Sequence, residues 1–275
     1  MSAPDPAALG ALIGLIECTL AGKASRPVVI GICGAQGSGK TTLAEAAVQA
    51  CTAKGLAAAM LSIDDLYLTR AEREELAHAI HPLFATRGPP GTHDLELGGR
   101  VLDAFGGGEA VRLPRFDKAN DDRLPPDAWA PAPPGCEVLL LEGWCVGARP
   151  QDEDALADPI NELEAGEDPE GIWRRYVNRV LGDTYQKFFA SIDKLVMLAA
   201  PGFEVVHLWR LQQEEELAVS ARRDANAVMS EPEIARFIQH YERLTRHMLA
   251  EMPVRADLLV RLDTERRPLE ITRSR

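Results

Sequence analysis

Eight consecutive residues carry the densest chemical signal in this chain of 275: Gly34-Ala35-Gln36-Gly37-Ser38-Gly39-Lys40-Thr41. Their spacing, G-x-x-x-x-G-K-[ST], is that of a loop that cradles phosphate. A glycine-rich turn lets successive backbone N–H groups point at one phosphate group, and a helix starting there adds its positive N-terminal end. In this pattern Lys40 reaches the β- and γ-phosphates and the Thr41 hydroxyl sits on Mg²⁺. With Thr42, which opens the next segment, these residues form the candidate nucleotide-binding set.

Such a loop needs a buried strand before it and a helix after it. Val28-Val29-Ile30 and Ile32 supply the first, and Thr42-Leu43-Ala44-Glu45-Ala46-Ala47-Val48 the second. A second apolar run, Leu56 to Ile63, ends in Asp64-Asp65, and a third, Glu137 to Gly143, ends in Glu142. Open α/β sheets bind ligands at the carboxyl ends of their strands, so these acids are delivered to the phosphate loop. Lys194 to Ala200 and Asp257 to Leu262 read as a fourth and a fifth strand. Five apolar runs alternating with helical segments predict an α/β chain with the three-layer fold of phosphate-loop NTPases and a mainly parallel five-stranded sheet.

The whole chain, 1–275, reads as one domain. Asp5-Pro6 looks like a helix cap with proline at the first helical position, and Leu9, Leu12, Ile13, Ile16 and Leu20 share a face, predicting a helix over 5–21. Further helices are expected over Arg70 to Ala79, from Leu95 to the Gly106-Gly107-Gly108 stop, over Glu204 to Val219, and from a capping box at Ser230. Irregular insertions at about 81–135 and 143–170 fall where an acceptor would sit, and a lid is expected at about 210–230. Between Arg149 and Arg174 there are many acids and no Lys or Arg, which reads mainly as a solvated face.

A net charge of −12 argues against a nucleic-acid partner, since no basic stripe accumulates. The five cysteines are odd in number and lack C-x-x-C spacing, as in a reduced intracellular chain, and a cytoplasmic location is expected. No run is long enough to span a membrane. A GTPase would carry an N-K-x-D run after a late strand, and none is present. The size suits transfer to a small molecule.

The strand and phosphate loop, Ser62-Ile63-Asp64-Asp65-Leu66-Tyr67 and Leu141-Glu142-Gly143 together resemble the phosphoribulokinase, uridine kinase and pantothenate kinase superfamily. Longer stretches are similar to the plant and fungal type of D-glycerate 3-kinase and its bacterial relatives: Ser62 to Thr69, Arg87 to Asp94, Leu113 to Lys118, Glu142 to Gly147 and Trp209 to Glu214. The similarity runs from about Val28 to about Leu262. Leu66 departs from it, standing where relatives usually carry an aromatic residue.

The resemblance implies ATP and Mg²⁺ as cofactors and Asp64 as general base toward the acceptor hydroxyl, with Asp65 as its rival. Thr41, Asp64 and Glu142 fall on the metal side, Glu142 directly or through water. The acceptor, a small hydroxy acid such as glycerate, calls for a guanidinium on its carboxylate and hydrogen-bonding groups on its hydroxyls. Asp65, Tyr67, Arg87, His93, Asp94, Arg115, Asp117, Lys118 and Arg149 are the candidates. Arg222 and Arg223 occupy the segment that closes over ATP in related kinases, alongside Lys40 as charge-stabilising groups. Two alternatives stand beside glycerate phosphorylation. One is a kinase for another small metabolite, such as a sugar, nucleoside or pantothenate-like acceptor; the other is a nucleotide-dependent regulatory or binding protein.

Overall fold

The computed structural model describes residues 3–23, 27–220 and 230–274, the side chains of 213–220 excepted. Arg222 and Arg223, and with them the centre of the expected lid, lie outside the described residues.

Every residue of the run before the phosphate loop is buried, and it forms the strand β1 (Val28–Gly34). β2 (Ala58–Ser62), β3 (Val138–Gly143), β4 (Lys194–Ala199) and β5 (Leu258–Leu262) follow, all parallel. These are the five strands legible in the sequence. A sixth, β6 (Pro268–Arg273), runs antiparallel along β5 and closes that edge, so the order is β6-β5-β4-β1-β3-β2. The register sets Ile32 beside Glu142 and Glu142 beside Ser62. The carboxyl ends of β1, β3 and β2 thus bring the phosphate loop, Glu142 and the Asp64-Asp65 pair to one place.

Alternating side chains of the central strands feed two cores, which makes the three layers. Val28, Ile30, Ile32, Val138, Leu140, Val196 and Leu198 pack on one face against α1 (Pro6–Gly22), α2 (Lys40–Ala53) and Trp209. Val29, Cys33, Leu139, Leu141 and Met197 pack on the other against α4 (Leu95–Gly106), α7 (Gln186–Phe189) and α9 (Glu231–Glu251). Caps start the helices where the sequence places them. Asp5 accepts from Ala7 and Ala8 N–H at 2.9 and 3.0 Å, Thr69 and Glu72 form a capping box on α3 (Arg70–Ala79), and Ser230 and Glu233 form another on α9.

The acidic stretch after Arg149 is largely exposed, as its composition suggests, but two of its acids turn inward. Glu164, on the short helix α5 (Glu162–Glu167), pairs with Arg243 of α9 at 2.6 Å, and Asp168 pairs with Arg174 of α6 (Ile172–Val180) at 3.1 Å. All four residues are buried. Arg243 also donates to the carbonyls of Ala155 and Asp158, each at 2.6 Å, so its charge is fully met. Removing one partner strands a charge in the interior, and Arg243→Ala is therefore expected to lower unfolding stability by about 3–5 kcal/mol. Urea unfolding of the purified variant measures this, and a loss within the surface-substitution range of about 0.5 kcal/mol would contradict it.

The described cysteines are free, and no helix among the described residues is long and apolar enough to cross a membrane.

Candidate active site

The phosphate loop owes its shape to two left-handed glycines, Gly37 (φ +77°) and Gly39 (φ +86°), the latter at the N-cap of α2. Side chains with a Cβ rarely adopt this conformation. Ser38 N–H donates to the Ala35 carbonyl at 3.1 Å and tightens the turn. Lys40 begins α2, half-buried, and Thr41 follows it exposed. Three buried polar atoms around this loop have no hydrogen-bond partner: Gln36 Oε1, Ser38 Oγ and Glu142 Oε2. Buried polar groups are normally satisfied, and these three stand unpaired beside the loop.

The two aspartates after β2 diverge. Ser62 Oγ accepts from Asp64 N–H at 3.3 Å and starts a 3₁₀ turn, Ile63–Leu66, that throws the adjacent carboxylates in different directions. Asp64 accepts from Lys118 Nζ at 2.6 Å and from the Tyr67 hydroxyl at 2.8 Å. Asp65 is buried and accepts from Phe116 N–H at 3.0 Å and Arg115 Nη1 at 3.2 Å, which ties the 115–118 loop to the end of β2.

Asp64 opens on a cavity of about 80 Å³ lined by Gln36, Lys40, Tyr67, Arg87, Lys118, Trp144, Arg210, Phe237 and Tyr241. Four of these are cations. Burial pushes the Asp64 carboxyl up, but the charges of Lys118 and Lys40, with the two hydrogen bonds, outweigh it and hold it well below the usual carboxylate range. The Asp64 charge raises Lys118 in return. Burial raises Asp65 and Glu142, and raises Tyr67 well above its ordinary value, so its hydroxyl keeps its proton as a donor.

Of the residues proposed from sequence for the acceptor, Tyr67, Arg87 and Lys118 line this cavity together with Asp64 and Lys40. Arg87 forms an ion pair with Asp121, and its carbonyl accepts from the Tyr241 hydroxyl at 3.0 Å. The others are turned elsewhere. His93 is buried behind Tyr67, stacked on it at 4.7 Å, with Nδ1 hydrogen-bonded to the Tyr185 hydroxyl at 2.6 Å. Burial lowers its pKa to about 4, which keeps the ring neutral. Asp94 caps α4 through Leu97 N–H at 2.9 Å and pairs with Arg123 at 2.7 Å. Asp117 accepts from Ala119 and Asn120 and shapes its own turn. Arg115 is committed to Asp65 and Arg149 borders a separate cavity with Asp193, Lys194 and Asp257, around the amino ends of β4 and β5. That is the opposite end of the sheet from the phosphate loop, so Arg149 is not placed to act as the carboxylate clamp expected of it.

Arg210, Phe237 and Tyr241 complete the lining without belonging to the candidate site residues above. Arg210 stands on α8 (Glu204–Ser220) within the Trp209 to Glu214 run, which is the signal that could have found it. Phe237 and Tyr241 are four apart on α9, on the face turned toward the cavity. Trp144 donates from Nε1 to the Gly88 carbonyl at 3.0 Å and meets Tyr241 edge-on at 4.9 Å, closing the floor.

Residues 29–149 match the phosphoribulokinase/uridine kinase family. The uncharacterized kinase mug58 of Schizosaccharomyces pombe is 39% identical over 227 residues, 78% of this chain and 79% of that protein. The chloroplastic D-glycerate 3-kinase of Arabidopsis thaliana is 30% identical over 261 residues, 88% of this chain but 54% of that protein, so the chain spans about half its length. The D-glycerate 3-kinase structure from Cryptococcus neoformans superposes with a TM-score of 0.80, covering 98% of this chain and 100% of that one at 24% identity, a likeness of fold. The chain therefore belongs to the phosphoribulokinase/uridine kinase family of phosphate-loop kinases, which makes it an ATP-dependent phosphotransferase.

Proposed function

We propose that the protein phosphorylates a small anionic hydroxy acid, D-glycerate, on its terminal 3-hydroxyl. The observation that carries this reading is the small cavity in which one carboxylate, Asp64, faces Lys40, Arg87, Lys118 and Arg210. Its cationic lining suits an acceptor bearing a carboxylate, and its size suits a three-carbon acid rather than a nucleoside. Two of the relatives carry D-glycerate 3-kinase in their names, which supports the same choice.

In the transfer, the acceptor oxygen forms a bond to the γ-phosphorus as the bond to the β,γ-bridging oxygen breaks, and ADP leaves. Asp64 takes the hydroxyl proton. Two of its lone-pair sites are filled by Lys118 and Tyr67, and a carboxylate has about four, so about two remain, enough for the acceptor hydroxyl. Lys40 stabilises the charge on the moving phosphoryl group, and Arg87 and Arg210 hold the acceptor carboxylate. The nucleoside half of ATP falls in a cavity of about 170 Å³ beside Gly37, Ser38, Gly39 and Thr42.

The orphaned Glu142 Oε2 fits Mg²⁺. Among the described residues no group of three or more His, Cys, Asp or Glu could hold a metal ion. Thr41, Asp64 and Glu142 would hold it, directly or through water, and bound there it neutralises charge on the β- and γ-phosphates.

Coupled-assay kinetics with D-glycerate, uridine, pantothenate and ribulose 5-phosphate test the acceptor, with glycerate expected to be much the best. Arg210→Ala should raise the Michaelis constant for glycerate about tenfold or more, consistent with one lost charge-assisted hydrogen bond, while that for ATP stays put. Turnover with another acceptor and none with glycerate above the ATPase background would leave the kinase class standing and remove glycerate.

A further inference from the structure

Arg266 stands 229 residues beyond Gly37 in the sequence and belongs to none of the motifs above. It lies in the turn between β5 and β6. Asp263 builds that turn, accepting from Arg266 N–H at 3.1 Å through its carbonyl and from Glu265 and Arg267 N–H through Oδ1, each at 2.8 Å. Arg266 itself has φ +66°, a left-handed conformation that is rare for a residue with a side chain and that clusters at functional sites.

From this turn the guanidinium reaches back to the phosphate loop. It lies 5.2 Å from the centre of the Trp209 ring, donates through Nε to the Gly37 carbonyl at 2.5 Å, and through Nη2 to Gln212 Oε1 at 2.8 Å. Trp209 is fixed to the same turn, donating from Nε1 to the Thr264 carbonyl at 2.8 Å. It also presses on the loop: a Cβ at Gly37 would lie 2.6 Å from the Trp209 Cβ. The peptide unit joining Gly37 to Ser38 is consequently held at both ends, its carbonyl by Arg266 and its N–H by Ala35.

We propose that Arg266 is a positioning residue for the nucleotide. It fixes that peptide plane, and with it the left-handed turn of the phosphate loop, before ATP arrives, and it sets a positive charge at the edge of the cavity beside the loop. A site ordered in advance binds more tightly because less freedom is lost on binding. The inference rests on the kinase reading of the loop.

Arg266→Gly separates this role from a merely structural one, because glycine relieves the left-handed backbone while removing the guanidinium. The expected result is an unchanged or raised melting temperature, with the Michaelis constant for ATP and the calorimetric dissociation constant for ADP both raised about tenfold, as for one lost charge-assisted hydrogen bond. The Michaelis constant for the acceptor should not move. Arg266→Lys, which keeps the charge without the fork, should recover part of the ADP affinity. Arg266→Asn, which tolerates the same φ, serves if the glycine variant does not fold. Wild-type ADP affinity in a folded glycine or asparagine variant overturns the proposal, and so does a loss that follows the melting temperature with no recovery by lysine. Failure of the phosphate-loop assignment would show separately, as full turnover in a variant lacking Lys40.

Discussion

Replacing Lys40 with alanine is expected to leave the chain folded and to lower the turnover number by about 10²- to 10³-fold or more, the loss expected when one group stabilising transition-state charge is removed from a preorganised site. Lys40 stands at the first position of α2, half-buried, at the edge of the cavity, and contributes charge rather than core packing. Its charge is felt by both Asp64 and Glu142, whose carboxyl pKa values it lowers. Without it, two carboxylates face the entering phosphates with one fewer opposing charge. Circular dichroism and thermal unfolding should match the wild type while the turnover number collapses. Wild-type turnover in the variant would sink the phosphate-loop assignment.

Asp64→Asn should bind ATP and lose about 10²- to 10⁴-fold in transfer, the range expected of a general base. The amide keeps the size and can still accept from the Tyr67 hydroxyl, but it cannot take a proton. Lys118 and Lys40 hold the Asp64 carboxyl so low that it is ionised at any pH where the protein works, and correspondingly a weak base. In-line transfer through a loose transition state makes little demand on basicity, since the hydroxyl proton leaves late. Asp65→Asn should be milder on catalysis, because the Asp65 carboxylate serves Phe116 N–H and Arg115 rather than the cavity. Single-turnover rates and ATP binding for the two variants decide between them; a crippled Asp65→Asn beside a mild Asp64→Asn reverses the assignment of the pair.

What was legible in the sequence follows from what depends on local spacing. The five parallel strands, the caps at Asp5 and Ser230, and the phosphate loop all rest on runs of a few residues whose periodicity or chemistry is self-contained. β6 escaped because Pro268 to Arg273 is a half-exposed antiparallel edge with no continuous apolar run. Glu164 and Asp168 read as surface because their partners are distant or a turn away: Arg243 lies 79 residues on, and only the packing of α9 brings it there. The acceptor site divides along the same line. Residue type marked His93, Asp94, Asp117 and Arg149 as candidates, but whether such a side chain faces a cavity, caps a helix or lies at the other end of the sheet is decided by tertiary placement. Arg210 and Tyr241 reach the cavity from α8 and α9 for the same reason.

The wall behind Tyr67 is carried by a helix that is wound too wide. Between α6 and α7, residues Leu181–Tyr185 form a π-helical turn, and Tyr185 at its end accepts from Gly91 N–H at 2.9 Å while its hydroxyl meets His93. Such a turn holds one residue more than the α-helix it interrupts. Taking that residue out would rotate everything beyond it by about 100°, the angle of one helical step, and would swing Phe188 and Phe189 off the core along with it. Here a change of length is a change of site.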